Sequence, residues 1–76
     1  MKNSINLYEI KKGQQAQILD FNNHELMLDM ARFGIGVGVV IKCVEKFGNV
    51  VIQRNNQHIA IGKELSKTII VKEFLR

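Results

Sequence analysis

His24, Glu25 and Asp29 fall at adjacent and four-residue spacings, which on a helix bring a ring nitrogen and two carboxylates together as ligands for a divalent cation. Cys43 is the chain's one thiol, a soft-metal ligand or, beside a base, a nucleophile. Gly34, Gly36 and Gly38 recur at every second position in FGIGVG, a stretch of the kind whose backbone N–H groups can cradle a phosphate.

Each feature also has a plainer reading. Glu25 at the start of a helix serves the cap and the dipole, and Cys43, within a β-branched run, is a small buried apolar side chain. Neither His24 nor His58 can be placed beside Cys43 from the sequence, and His58 belongs on the outward face of a hairpin. No catalytic constellation forms, so the chain is read as a non-enzyme with no cofactor and no assigned metal; His24, Glu25 and Cys43 are the metal candidates. The glycines stand in the wrong order for a dinucleotide fingerprint, which follows a strand and opens a helix. Here they close a helix, whose C-terminus carries partial negative charge, and open a strand. No lysine followed by serine or threonine completes a Walker loop. Gly34 is therefore expected to cap the helix, with Gly36 and Gly38 shaping the turn that follows.

The elements that position these residues follow from periodicity. Gln14 to Phe21 alternates as a half-buried strand until Leu19 and Phe21 shift the pattern, which predicts a bulge or bend near Leu19. Asn22 and Asn23 can each cap a helix, and Glu25 three residues after Asn22 has the spacing of a capping box. Leu26, Met30 and Phe33 then form an apolar face, with Met27 and Ala31 beside them, that Gly34 ends. Val37 to Phe47 is rich in β-branched residues and predicts the longest strand. FGN at 47–49 turns into VVIQR, and Asn55-Asn56 links it to QHIAI. That link pairs Arg54 with Gln57, Gln53 with His58, Ile52 with Ile59 and Val50 with Ile61, gathering the apolar pairs on one face. Gly62 breaks the run, Lys63 to Ser66 makes a helical turn, and residues 67–74 supply a last strand.

With connections too short for parallel crossovers, these elements predict a mainly β protein, a small SH3-like antiparallel barrel of about five strands with one short α-helix inserted after the first. Seventy-six residues make one domain, 1–76. Apolar residues at 46% and charged residues at 24% are ordinary for a folded protein, and no apolar run has the length of a membrane span or a signal peptide. A cytoplasmic location is expected. A single cysteine leaves no internal disulfide, so a hydrophobic core must hold the fold. The net charge of +4 comes from dispersed basic residues without a run, and the aromatic residues Tyr8, Phe21, Phe33, Phe47 and Phe74 are expected mostly at core positions. No nucleic-acid partner is expected.

The ordered landmarks Leu7-x-x-Ile10-x-x-Gly13-x-x-Ala16-x-Ile18, Phe33-Gly34-Ile35, Gly38, the strand Val39 to Val44, Ile59-Ala60-Ile61 and Ile69-x-Val71 resemble the ferrous iron transport protein A (FeoA) family. Phe33 to Gly38 looks like that family's Leu/Met-Gly-Ile/Leu-x-Pro-Gly stretch, with Val37 where proline is usual. The resemblance implies a small SH3-like accessory protein that binds the cytoplasmic part of FeoB, the membrane GTPase that transports ferrous iron. It would meet the membrane only through that partner. A similar domain ends iron-dependent repressors, but no DNA-binding helices precede it here, so a standalone protein is expected. Met27, Arg32 and Ile35 around the helix end are the expected partner surface. Two other functions fit the residues: a metal-responsive module using His24, Glu25 or Cys43, and a nucleic-acid-binding small barrel whose binding would weaken with salt.

Overall fold

The computed structural model describes residues 4–74. In order the chain forms β1 (Ser4–Asn6), a 3-10 turn (Leu7–Glu9), β2 (Gln15–Phe21), α1 (His24–Ala31), β3 (Val40–Phe47), β4 (Asn49–Arg54), β5 (Gln57–Ile61), α2 (Lys63–Ser66) and β6 (Ile69–Glu73). The six strands make one sheet, ordered β1-β6-β2-β3-β4-β5, with every recorded pair antiparallel. This is the expected mainly β, SH3-like architecture, with one strand more than expected; among the described residues β1 and β5 are edges, and hydrogen bonding does not close the barrel.

The additional strand is β1. At three residues it is too short for its alternation to mark it as a strand, and Ser4, Ile5 and Asn6 are extended by pairing with Lys72, Val71 and Ile70 of β6. The helix accordingly follows the second strand rather than the first. Two register shifts bend the sheet, between Ile18 and Asp20 on β2 and between Cys43 and Glu45 on β3. The first falls at Leu19, where the broken alternation predicts it; a bulge inserts an unpaired residue and increases the local twist. β2 pairs with β3 over Gln15–Gln17 and with β6 over Ala16–Phe21.

The hairpin between β4 and β5 has the expected register, with Arg54 opposite Gln57, Gln53 opposite His58, Ile52 opposite Ile59 and Val50 opposite Ile61. Asn55 adopts φ +57°, the left-handed conformation that asparagine tolerates better than most residues. Inside the curl, β2 contributes Ala16 and Ile18, β3 Ile41 and Cys43, β4 Val50 and Ile52, and β6 Ile69 and Val71, all at most 1% exposed. Leu7 in the 3-10 turn, Ile10 just after it, Leu26 and Met30 from α1, and Phe21, Ile35 and Ile61 belong to the same core. By contrast Phe33, Phe47 and Phe74 are 42%, 94% and 48% exposed, correcting their expected core placement. Phe47 sits at the tip of the β3–β4 hairpin beside Gly48, where no element covers it.

Candidate interaction surface at the helix end

α1 begins at Asn23, whose Oδ1 accepts the N–H of Leu26 at 2.9 Å. The cap is thus one residue later than the Asn22–Glu25 spacing suggests, because the N–H of Asn22 donates to Thr68 O, just ahead of β6, at 2.8 Å and so still follows the strand's path. His24 and Glu25 occupy the first turn of α1 and are exposed.

At the other end the helix tightens. Arg32, Phe33 and Gly34 donate to carbonyls three residues back, and Ile35 then donates to Met30 O at 3.1 Å while Gly34 N reaches Ala31 O at 3.0 Å. Gly34 adopts φ +74°. This pair of bonds around a left-handed residue is a Schellman closure, whose hydrophobic contact joins the residues at its two ends. Here those are Met30 and Ile35, 2% and 0% exposed.

The closure exchanges two side chains relative to the helical projection. A continuing α-helix would place Phe33 on the core face with Leu26 and Met30, but the tightened turn leaves Phe33 on the surface and the reversal at Gly34 sends Ile35 inward. Ile35 is therefore not a surface residue, which corrects its expected role in partner binding. Of the other residues expected there, Met27 is half-buried and Arg32 is exposed.

The glycine-rich stretch forms a second turn. Val39 N donates to Gly36 O at 3.1 Å with Gly38 at φ +94° in the third position, the pattern of a type II turn. Val37 occupies the second position and is 64% exposed. Gly38 N donates to Ile18 O at 2.7 Å and Gln17 Nε2 to Gly38 O at 3.0 Å, fastening the turn to β2. Gly36 lacks a positive φ, so of the three glycines only Gly34 and Gly38 meet a conformational demand. Because the turn takes up residues 36–39, β3 starts at Val40, later than its β-branched run suggests.

Leu28, Phe33 and Val37 thus expose apolar side chains, at 55%, 42% and 64%, along one short stretch of chain. Leu28 and Arg32 are four apart and neighbours on the helix surface. The backbone beneath them is fixed: Gln57 Nε2, at the start of β5, donates to Phe33 O at 3.2 Å. Periodicity alone misses Leu28, because its position sets it opposite the core stripe only once the helix is oriented.

The metal candidates are not brought together. Cys43 is fully buried on β3, and its thiol donates to Glu45 O at 3.6 Å. Burial pushes this thiol above its ordinary pKa, partly offset by that backbone contact and by the Lys46 charge. Among the described residues no three or more His, Cys, Asp or Glu side chains are grouped to hold a metal ion.

Tertiary structure gathers some of the dispersed lysines. Lys46, Lys63 and Lys67 place their ammonium groups 4.6, 5.4 and 5.6 Å from the centroid of the Tyr8 ring, within cation–π range. Among the described residues, no helix is long and apolar enough to cross a membrane.

Comparison with known proteins gives concordant results. The FeoA domain family model matches residues 5–73. A crystal structure of an iron uptake regulatory protein (FeoA) is similar over 93% of this chain and 99% of its own, at 22% identity and TM-score 0.82. An NMR structure of a FeoA-like protein from Clostridium acetobutylicum is similar over 100% of this chain and 93% of its own, at 18% identity and TM-score 0.81. A manganese-dependent transcriptional repressor shares the fold at TM-score 0.83 and 11% identity, and there this chain corresponds to 44% of the repressor's length. No curated protein matches the chain.

Proposed function

The chain belongs to the family of FeoA domains, and from that premise we propose that it serves ferrous iron uptake as a cytoplasmic, non-catalytic accessory protein of a FeoB-type membrane GTPase. The observation that carries this reading is the family match over residues 5–73, joined to an apolar surface on a fixed backbone at the helix end. Binding there acts on the transporter if the surface has different affinities for two conformations of the transporter's cytoplasmic part; equal affinity for both would shift nothing.

The residues proposed for the contact are chosen from those exposed at the helix end. Leu28, Arg32, Phe33 and Val37 form the proposed surface with Met27 at its edge, and Ile35 supports it from within. Residues that dominate binding energy are enriched in arginine and large aromatics and depleted in leucine and valine, so Arg32 and Phe33 are the proposed anchors and Leu28 and Val37 the apolar surroundings that exclude water. The test is a titration of this protein with the cytoplasmic domain of the FeoB-type transporter. Arg32→Ala and Phe33→Ser should each weaken binding about tenfold or more while the folded spectrum persists. Unchanged affinity in both variants excludes this surface, and absence of binding by the unaltered chain excludes the partnership.

A further inference from the structure

The sheet ends at β5, and the ladder with β4 fixes which of its backbone groups are left over. Antiparallel strands alternate between pairs of residues that exchange both N–H···O bonds and pairs that exchange none. Across the Asn55-Asn56 link, Arg54 and Gln57 form the first bonded pair, so Ile52 with Ile59 and Val50 with Ile61 are bonded as well. His58 and Ala60 therefore direct their N–H and C=O groups away from β4. Among the described residues no turn or loop supplies a backbone partner to either.

This edge lacks the features that usually keep a strand from pairing with another chain, which are short length, charged side chains, proline and bulges. β1, at the other edge, has only 3 residues. β5 has 5, QHIAI, without lysine, arginine, aspartate, glutamate or proline. Its register with β4 runs unbroken, whereas those of β2 with β6 and of β3 with β4 shift. His58 and Ala60 are exposed, and Ile59 is half-buried at the margin of the core.

We infer that β5 pairs antiparallel with β5 of a second copy of this chain, joining two sheets about a two-fold axis at Ile59. A second copy is the partner that fits because one register satisfies every leftover group in both strands: His58 exchanges both bonds with Ala60 of the second copy, and Ala60 with its His58. Sliding the strands by two residues either way leaves one outward residue of each copy against Asn56 or Gly62, beyond the strand. In the centred register Ile59 meets Ile59 of the second copy as a non-hydrogen-bonded pair, the closer kind, which covers the exposed side of an apolar residue. On the outer face the larger His58 lies opposite the small Ala60. No charged side chain of either strand is set against a like charge. A two-fold contact of one patch with itself closes at two copies, so it makes a dimer and not a fibre. It uses backbone groups of β5 rather than side chains of the helix end, and the inference does not rest on the transporter partnership.

The test is sedimentation equilibrium of the full chain from about 10 µM to about 1 mM at about 0.15 M salt, with amide exchange measured at both ends of that range. A monomer–dimer equilibrium is expected, and exchange of the His58 and Ala60 amides should slow as concentration rises while that of the Val37 amide does not. Ala60→Pro removes one outward donor from each copy without touching the β4 ladder, and should weaken dimerisation at least about tenfold. Ala60→Lys keeps the N–H but places a charge at the edge; it should also weaken dimerisation, and it keeps the test decisive if the proline disturbs the hairpin. Leu28→Ser, on the helix-end surface, should leave dimerisation unaltered. The inference is overturned if the chain stays monomeric at about 1 mM, if both Ala60 variants dimerise like the unaltered protein, if the slowed exchange spares His58 and Ala60, or if Leu28→Ser abolishes the dimer.

Discussion

Ile35 donates its backbone N–H to the carbonyl of Met30 at 3.1 Å, and both side chains lie in the core. That single relationship ends the helix, turns Phe33 outward and starts the glycine turn, so the candidate interface depends on a backbone reversal at Gly34. A side chain at φ +74° strains the backbone, although a Cβ at Gly34 would meet nothing within 4 Å. Gly34→Ala should therefore lower stability by about 1–2 kcal/mol through backbone conformation alone. Gly36→Ala, where φ is not positive and space is equally open, should change it by no more than about 0.5 kcal/mol. Urea unfolding of the two variants measures the difference; equal losses would contradict the assignment of the reversal to Gly34.

Val37 stands at the second position of the Gly36–Val39 turn, where proline's fixed φ is favoured. Among the described residues its N–H makes no backbone hydrogen bond that proline would remove. Val37→Pro should raise stability by about 0.4–1 kcal/mol by restricting the unfolded chain. A lower thermal midpoint would show that the turn differs from the type II geometry.

The two neighbouring asparagines before α1 should differ in consequence. Asn23→Ala removes the acceptor for Leu26 N and should cost about 1 kcal/mol, whereas the Asn22 side chain makes no cap contact and Asn22→Ala should fall within about 0.5 kcal/mol of the unaltered protein. Denaturant midpoints of the pair decide which residue caps the helix.

Burial raises the Cys43 thiol's pKa in the folded state above that of the unfolded chain. The folded protein then holds this proton more tightly, so the contribution to stability is present in full below the ordinary thiol range near about 8.5 and is lost as pH rises through the raised value. Unfolding measured from about pH 7 to about pH 10 should show a fall in stability that Cys43→Ala reduces. A slope unchanged by that substitution would assign the alkaline loss to other groups.

Local signals made much of this molecule legible. The β4–β5 register followed from Asn55-Asn56 and the alternating residues around it, and the bulge at Leu19 followed from a broken period of two. Gly34 was legible as a helix stop. What local pattern could not supply was the path of the chain after that stop: extending the helical face put Phe33 inside and Ile35 outside, and the closure onto Met30 reversed both.

The sequence by itself determined that this is a small antiparallel β protein with one short capped helix, because side-chain period, turn chemistry and helix signals act within a few residues of one another. Only the tertiary structure decided that Ser4 to Asn6 form a strand, that Tyr8 meets Lys46, Lys63 and Lys67, and that Gln15, Lys42 and Gln53 share a row. Those relations join residues far apart along the chain, and they exist because burying the apolar strands fixes one sheet order and one register, which then sets what the polar side chains face.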